Sequence, residues 1–168
     1  MALLIGLLLP LPAFASDGAA DIKRLEGVYK TQFKSGLVDG TEYMAEDIFE
    51  FLHVRDNAAY FKLHLEFYNA HVCDLSGIAK HTGTKGSFIF KDGDAEDICI
   101  LNIQAKDGQI VFSDNDSHCN KYCGARGSIS GSGFPLNKKR KIRYMPLILK
   151  SEEYRGAVEN YDKSNPRQ

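Results

Sequence analysis

Apolar and polar residues alternate with a period of two through most of this chain. In the stretch 59–68, Phe61, Leu63, Leu65 and Phe67 fall on one side, and Lys62, His64 and Glu66 on the other. That is the pattern of a strand with one buried face. Shorter stretches of the same kind occupy 27–33, 48–54, 72–79, 87–91, 98–105 and 109–113. Turn signals lie between them: Asp39-Gly40, Asp56-Asn57, Gly83, Asp92-Gly93 and Asp107-Gly108. The last reads as a tight hairpin turn, because glycine accepts positive φ at no steric cost. Many short strands joined by hairpins predict a mainly β fold. The expected form is an antiparallel meander of about seven or eight strands closing into a small β-barrel, since closure removes exposed edges.

The rhythm changes near the end of the chain. Ser151 is a good N-cap, Glu152 and Glu153 suit the positive end of a helix dipole, and Tyr154, Ala157, Val158 and Tyr161 recur at helical spacing. One short C-terminal helix packed on the barrel is predicted, with 162–168 as a frayed tail. At the other end, 1–15 is almost wholly apolar and finishes in Ala13-Phe14-Ala15 before polar Ser16-Asp17-Gly18. This is the signature of a cleaved signal peptide without the usual basic n-region, and it is too short to span a bilayer. A single domain over 16–161 follows, in a periplasmic or secreted protein.

Export changes the meaning of the cysteines. Cys73, Cys99, Cys119 and Cys123 are an even set, which predicts two disulfides. Three pairings are open. The placement of the first two on candidate strands and the last two in one loop favours Cys73–Cys99 and Cys119–Cys123. A net charge of −1 argues against nucleic acid as the main partner.

The least generic stretch is 114–133, which opens with polar residues, carries Cys119 and Cys123, and runs on through glycines and serines. In one reading the disulfide only staples a polar loop, and Arg126 pairs with a nearby carboxylate. In the other the loop is a rigid recognition surface presenting Arg126, Tyr122 and the hydroxyls of Ser128, Ser130 and Ser132. Arginine suits that role because its planar fork binds carboxylates and phosphates bidentately.

The string Cys119-x-x-x-Cys123-Gly124-Ala125-Arg126-Gly127, with His71-x-Cys73-x-Leu75-x-Gly77 before it and Ser151-x-x-Tyr154 after it, resembles a group of small uncharacterised bacterial periplasmic β-barrel proteins. More loosely, the plan is similar to bacterial inhibitors of c- and i-type lysozymes, small disulfide-bonded barrels of the envelope. Those inhibitors put a Ser/Gly loop with a basic residue into the lysozyme cleft. The resemblance implies that 124–133 plays that part, against the two acids that do the work of lysozyme.

Other chemistry is poorly served. Gly127-Ser128-Ile129-Ser130-Gly131 is not a nucleophile elbow. His71, Cys73, His118, Cys119 and Cys123 fit no common zinc spacing, and Asp114-Asn115-Asp116 lacks the rest of a calcium loop. No enzyme, metal or cofactor is therefore expected. The basic run 138–143 reads as a solvated or edge strand guarded by charge, neutralised by acidic residues of 92–97, or else as a patch for an anionic partner. The leading expectation is a non-enzymatic binding protein with a protein partner in the cell envelope, extending to inhibition of a cell-wall hydrolase. The alternative is a lipocalin-like carrier whose cavity, lined by Phe61, Leu63, Leu65 and Phe67, holds a small apolar ligand. Catalysis comes third, and would need His64, His71 or His118 beside an activated nucleophile.

Overall fold

A helix, α1 (Asp17–Leu25), precedes eight strands that follow one another around a single antiparallel sheet in chain order. The strands are β1 (Gly27–Gly36), β2 (Glu42–Arg55), β3 (Ala58–Glu66), β4 (Val72–His81), β5 (Ser87–Asp92), β6 (Cys99–Lys106), β7 (Gln109–Asp114) and β8 (Gly133–Pro135). Two further helices close the chain, α2 (Met145–Lys150) and α3 (Glu152–Ser164). These coordinates are a computed structural model that describes residues 17–166. The expected signal peptide, 1–15, lies outside the described residues.

Alternation puts one face of each strand inside. Tyr29, Phe49, Phe51, Phe61, Phe88, Phe112 and Phe134 are all fully buried in one cluster. Phe49 sits at its centre, with ring centroids 5.0 Å from Phe112, 5.7 Å from Phe51 and 5.9 Å from both Tyr29 and Phe134. Leu63 and Leu65 join the same packed interior, and Phe67 packs against it from the rim. The hairpin expected at Asp107-Gly108 is present, with φ of 50° and 77° and Lys106 paired to Gln109.

Two places in the wall depart from a uniform barrel. β8 is short, and the seam to β1 is sealed by the segment after it: Val28 N–H donates to Arg140 O at 2.9 Å and Arg140 N–H to Val28 O at 2.8 Å. The basic run 138–143 is thus an extended seal carrying one bridge, and not an edge strand. The second departure lies between β4 and β5, which pair only at Lys80↔Ile89 and His81↔Phe88 before parting. The Phe90 ring crosses the gap so closely to Gly77 that a Cβ there would lie 2.2 Å from it, so glycine is required.

The outer face of β2 and β3 is also covered, which sequence alternation alone does not announce. Val28, Leu52, Tyr60, Ile142 and Ile148 form a second buried cluster beneath α2 and α3. Ser151 caps α3 by accepting from Tyr154 N–H at 3.2 Å, and the Tyr154 ring meets Tyr60 edge-on at 5.1 Å. The helix continues past Tyr161. Arg55 pairs with Asp162 at 2.7 Å and donates to Asn165 O at 2.9 Å, while Lys80 donates to Asn165 Oδ1 at 2.6 Å. The expected tail at 162–168 is therefore corrected for 162–165: these cations on β2 and β4 anchor it.

α1 closes the end of the barrel opposite the first hairpin, burying Ile22 and Leu25 in the core. Its Asp21 is buried and accepts from Gly86 N–H at 2.5 Å, from Arg24 Nη2 at 3.1 Å and from His81 Nε2 at 3.2 Å. Because Gly83 N–H donates to His81 Nδ1 at 3.1 Å, the ring hydrogen sits on Nε2. Desolvation pushes the Asp21 carboxyl up, but the Gly86 amide, Arg24 and His81 outweigh it and hold it below the usual carboxylate range. A depressed folded-state pKa contributes stability above the ordinary carboxylate value of about 3.9, which is lost as pH falls through the folded value. Asp21→Asn is accordingly expected to cost about 1–3 kcal/mol at neutral pH. In urea titrations from neutral to acid, the gap between the two proteins should narrow as pH drops below the carboxylate range.

Candidate functional site at the disulfide-anchored end of the barrel

The loops 37–41, 67–71, 93–98 and 115–132 all leave the sheet at the end away from α1, as strand directions in an antiparallel meander dictate. Two disulfides tie them together, Cys73–Cys123 and Cys99–Cys119. The expected pairing of Cys73 with Cys99 and Cys119 with Cys123 is corrected. β5 lies between β4 and β6, so Cys73 and Cys99 are separated by at least two strand spacings, about 9.5 Å, beyond the reach of a disulfide. Cys119 instead turns into the core toward β6, and Cys123 lies alongside Cys73 as an isolated antiparallel bridge.

That bridge shapes the motif around Arg126. Gly124 N–H donates to Val72 O at 2.7 Å, extending the pairing with β4. Gly127 N–H then donates to Gly124 O at 2.9 Å, closing a four-residue turn with Ala125 and Arg126 at its corners. Gly127 packs directly on the disulfide: a Cβ there would lie 2.7 Å from Cys73 Sγ and 3.3 Å from the Phe67 ring. The side chain of Arg126 is exposed and makes no hydrogen bond or ion pair among the described residues. Among the described residues it lacks the carboxylate partner that one reading of the sequence required.

The other residues singled out in the sequence are placed differently. Ser130 bonds through its hydroxyl to the Asp114 carboxylate and accepts from Asp114 N–H at 2.8 Å. Asp114 also accepts from Cys119 N–H at 3.1 Å, so this carboxylate organises the loop from within. Ser132 Oγ donates to Ile129 O at 2.6 Å, over a fully buried Ile129 side chain. Ser128 is half-buried with no side-chain hydrogen bond. The Tyr122 hydroxyl donates to the Asp92 carboxylate, and desolvation followed by that bond raises its pKa. Ser130 and Ser132 thus spend their polar atoms on the loop and its base, and Tyr122 spends its hydroxyl on the end of β5. Of the residues singled out, Arg126 alone is exposed with no internal partner among the described residues.

The acidic stretch near Asp97 meets this loop, not the basic run. Asp97 accepts from His118 Nδ1 at 3.1 Å and Lys121 Nζ at 3.4 Å. The His118 bond, with Lys121 behind it, holds the Asp97 carboxyl below its usual range. Beside it, where β4 and β5 part, a cleft of about 640 Å³ opens between the sheet and α3, with Tyr122 and Tyr161 among its walls.

Sequence reasoning missed the apolar half of this end. Val38, at the tip of the β1–β2 hairpin, is 72% exposed, and Tyr68 is 50% exposed. The two loops are locked together: Tyr68 OH donates to Leu37 O at 3.0 Å and Val38 N–H to Asn69 Oδ1 at 3.3 Å. Phe67, the residue before Tyr68, accepts at its carbonyl from Tyr43 OH at 3.3 Å, and its ring lies against Gly127 of the Arg126 turn. Asn69 and Ala70 are held in left-handed conformations with φ of 62° and 53°, a strain that tends to collect at functional loops. The signal available in the sequence was Leu37-Val38, an apolar pair placed directly before the Asp39-Gly40 turn where polar residues are usual.

His53, His64, His81 and His118 contact carboxylates or backbone groups, and the His71 side chain makes no hydrogen bond or ion pair among the described residues. His64 meets Asp74 at 2.7 Å and Glu66 at 3.6 Å, and among the described residues none has a hydroxyl or thiol as its hydrogen-bond partner. Among the described residues no group of three or more His, Cys, Asp or Glu side chains is arranged to hold a metal ion. No family model matches the chain, and the comparisons with curated proteins and with solved structures return no match.

Proposed function

We propose that this is an exported, periplasmic or secreted, non-enzymatic binding protein that engages a protein partner through the disulfide-anchored end, as an inhibitor of a cell-wall hydrolase. The observation that carries this reading is the presentation of Arg126. An arginine with no internal partner, fixed on a turn that is bonded to a disulfide and backed by Phe67, is pre-organised for an acidic cleft. Fixing it in advance lowers the entropy lost on binding. The exposed Tyr68 and Val38 at the same end of the barrel add the apolar contact area that a cation alone lacks, and Tyr and Arg are the residues that dominate interface energetics. Pairing of all four cysteines is the chemistry of an oxidising compartment. The packed aromatic interior weighs toward an external site and away from a carrier cavity behind Phe61, Leu63, Leu65 and Phe67.

The test is inhibition of a panel of c-, g- and i-type lysozymes and lytic transglycosylases, followed by turbidity of cell-wall suspensions. The oxidised protein is expected to slow at least one member at near-stoichiometric concentration. Arg126→Ala should weaken that inhibition by about tenfold or more while leaving the thermal midpoint unchanged, since the exposed side chain makes no hydrogen bond or ion pair among the described residues. Absence of inhibition across the panel, or equal inhibition by the variant, would overturn the reading.

A further inference from the structure

We propose that a second surface, on the side of the barrel and independent of Arg126, attaches the protein to an anionic phospholipid bilayer. The surface is the seam segment and the helix that follows it, residues 138–150. Lys138, Lys139, Arg140, Lys141 and Arg143 are all exposed. Lys139 donates to Arg24 O at 2.6 Å, but the side chains of Lys138, Arg140, Lys141 and Arg143 make no ion pair or hydrogen bond among the described residues. The acids nearest to them are already engaged. Glu46 is taken by Lys30 at 2.6 Å and Gln32 at 3.1 Å, and Glu50 is buried and bonded to the Tyr144 hydroxyl. Arg140 also acts through space on Glu46, while Lys138, Lys141 and Arg143 have no acid partner among the described residues, so a chain of net charge −1 concentrates excess positive charge along one seam.

Charge alone would suit any polyanion. The next residues distinguish the partner. The groove walled by Lys30, Arg140, Lys141 and Arg143 meets, at Tyr144, a second groove of mixed character, with Ile48, Leu147 and Ile148 on one part of its wall and Glu50, Lys62 and Asp74 on another. On α2, Leu147 is 71% exposed and Leu149 is 44% exposed, one on each side of the buried Ile148. Exposed leucines gain nothing from a soluble polyanion. At a bilayer they enter the boundary between headgroups and acyl chains while neighbouring Lys and Arg heads stay with the phosphates. No helix among the described residues is long and apolar enough to cross a membrane, so this contact is one of the surface.

The experiment is co-sedimentation of the full protein with vesicles of phosphatidylcholine alone and with about one-third phosphatidylglycerol. Binding to the anionic vesicles is expected to be about tenfold tighter or more, and to weaken as salt is added. Lys141→Glu with Arg143→Glu should bring it down to the neutral-vesicle level, and Leu147→Ser should weaken it several-fold. Both variants should keep the parent thermal midpoint, and Arg126→Ala should bind vesicles like the parent. Equal binding to both vesicle types, or none to either, overturns the proposal. So does full retention by Leu147→Ser, which would assign the cations to a soluble polyanion.

Discussion

Replacing Cys73 and Cys123 together by alanine is expected to lower the unfolding free energy by about 4 kcal/mol, and the Cys99/Cys119 double replacement by about 3 kcal/mol. The order follows from the loops each bond closes, 50 and 20 residues in sequence, because the longer loop removes more conformational freedom from the unfolded chain. Urea unfolding of the two variants measures both values, and non-reducing peptide mapping of the parent checks the pairing itself. A reversed order would mean that local contacts outweigh chain entropy. The Cys99–Cys119 bond lies wholly within the core, so that outcome has a physical source. Loss of Cys73–Cys123 should also free the Gly124–Gly127 turn, so inhibition should fall with stability in this variant but not in the other.

Phe49→Ala is expected to cost about 3–5 kcal/mol, and to lower the thermal midpoint by roughly 10 °C in a chain of this size. The ring meets Tyr29, Phe51, Phe112 and Phe134, so its loss strips contacts from β1, β2, β7 and β8 at once. These elements are rigid neighbours in a closed wall and collapse poorly into a cavity. The exposed Leu147→Ala offers the contrast, with a change within about 0.5 kcal/mol. Thermal melts of the pair separate a packed interior from a merely apolar one. If Phe49→Ala falls below about 1.5 kcal/mol, the interior is adaptable.

The strands were readable because each has only one face to bury, and period-two alternation encodes that directly. Phe61, Leu63 and Leu65 are interior as their spacing requires. α1 was not readable. Nine residues that include Gly18 and a single buried stripe of Ile22 and Leu25 hold their helix through tertiary contacts, chiefly Asp21 with Gly86 and His81. α2 was obscured in the same way, since its short MPLILK sequence reads equally as a strand. In the loop, the sequence predicts Arg126 constrained through a Cys119–Cys123 disulfide, whereas the structure constrains it through Cys73–Cys123 and the Gly124–Gly127 turn. The diversion of Ser130 and Ser132 into internal bonds was not readable, because the first depends on Asp114 arriving from β7 and the second on the turn that brings Ser132 back to the Ile129 carbonyl. Disulfide pairing failed for a topological reason: Cys73 and Cys99 do both lie on strands, but β5 runs between those two strands and keeps them apart.

The seam at Val28 and Arg140 gives this barrel an order of assembly. Every other strand pair joins sequence neighbours, so the sheet can zip hairpin by hairpin with little loop entropy to overcome. The ring itself cannot shut until residue 140 has been made and brought back to residue 28. Until then β1 and β8 are open edges, the kind of surface through which copies of a nascent chain add to one another. The piece that ends this exposure carries five cations in six residues. Two chains attempting to seal each other's seams would bring those clusters together, so charge repulsion favours each molecule closing on itself.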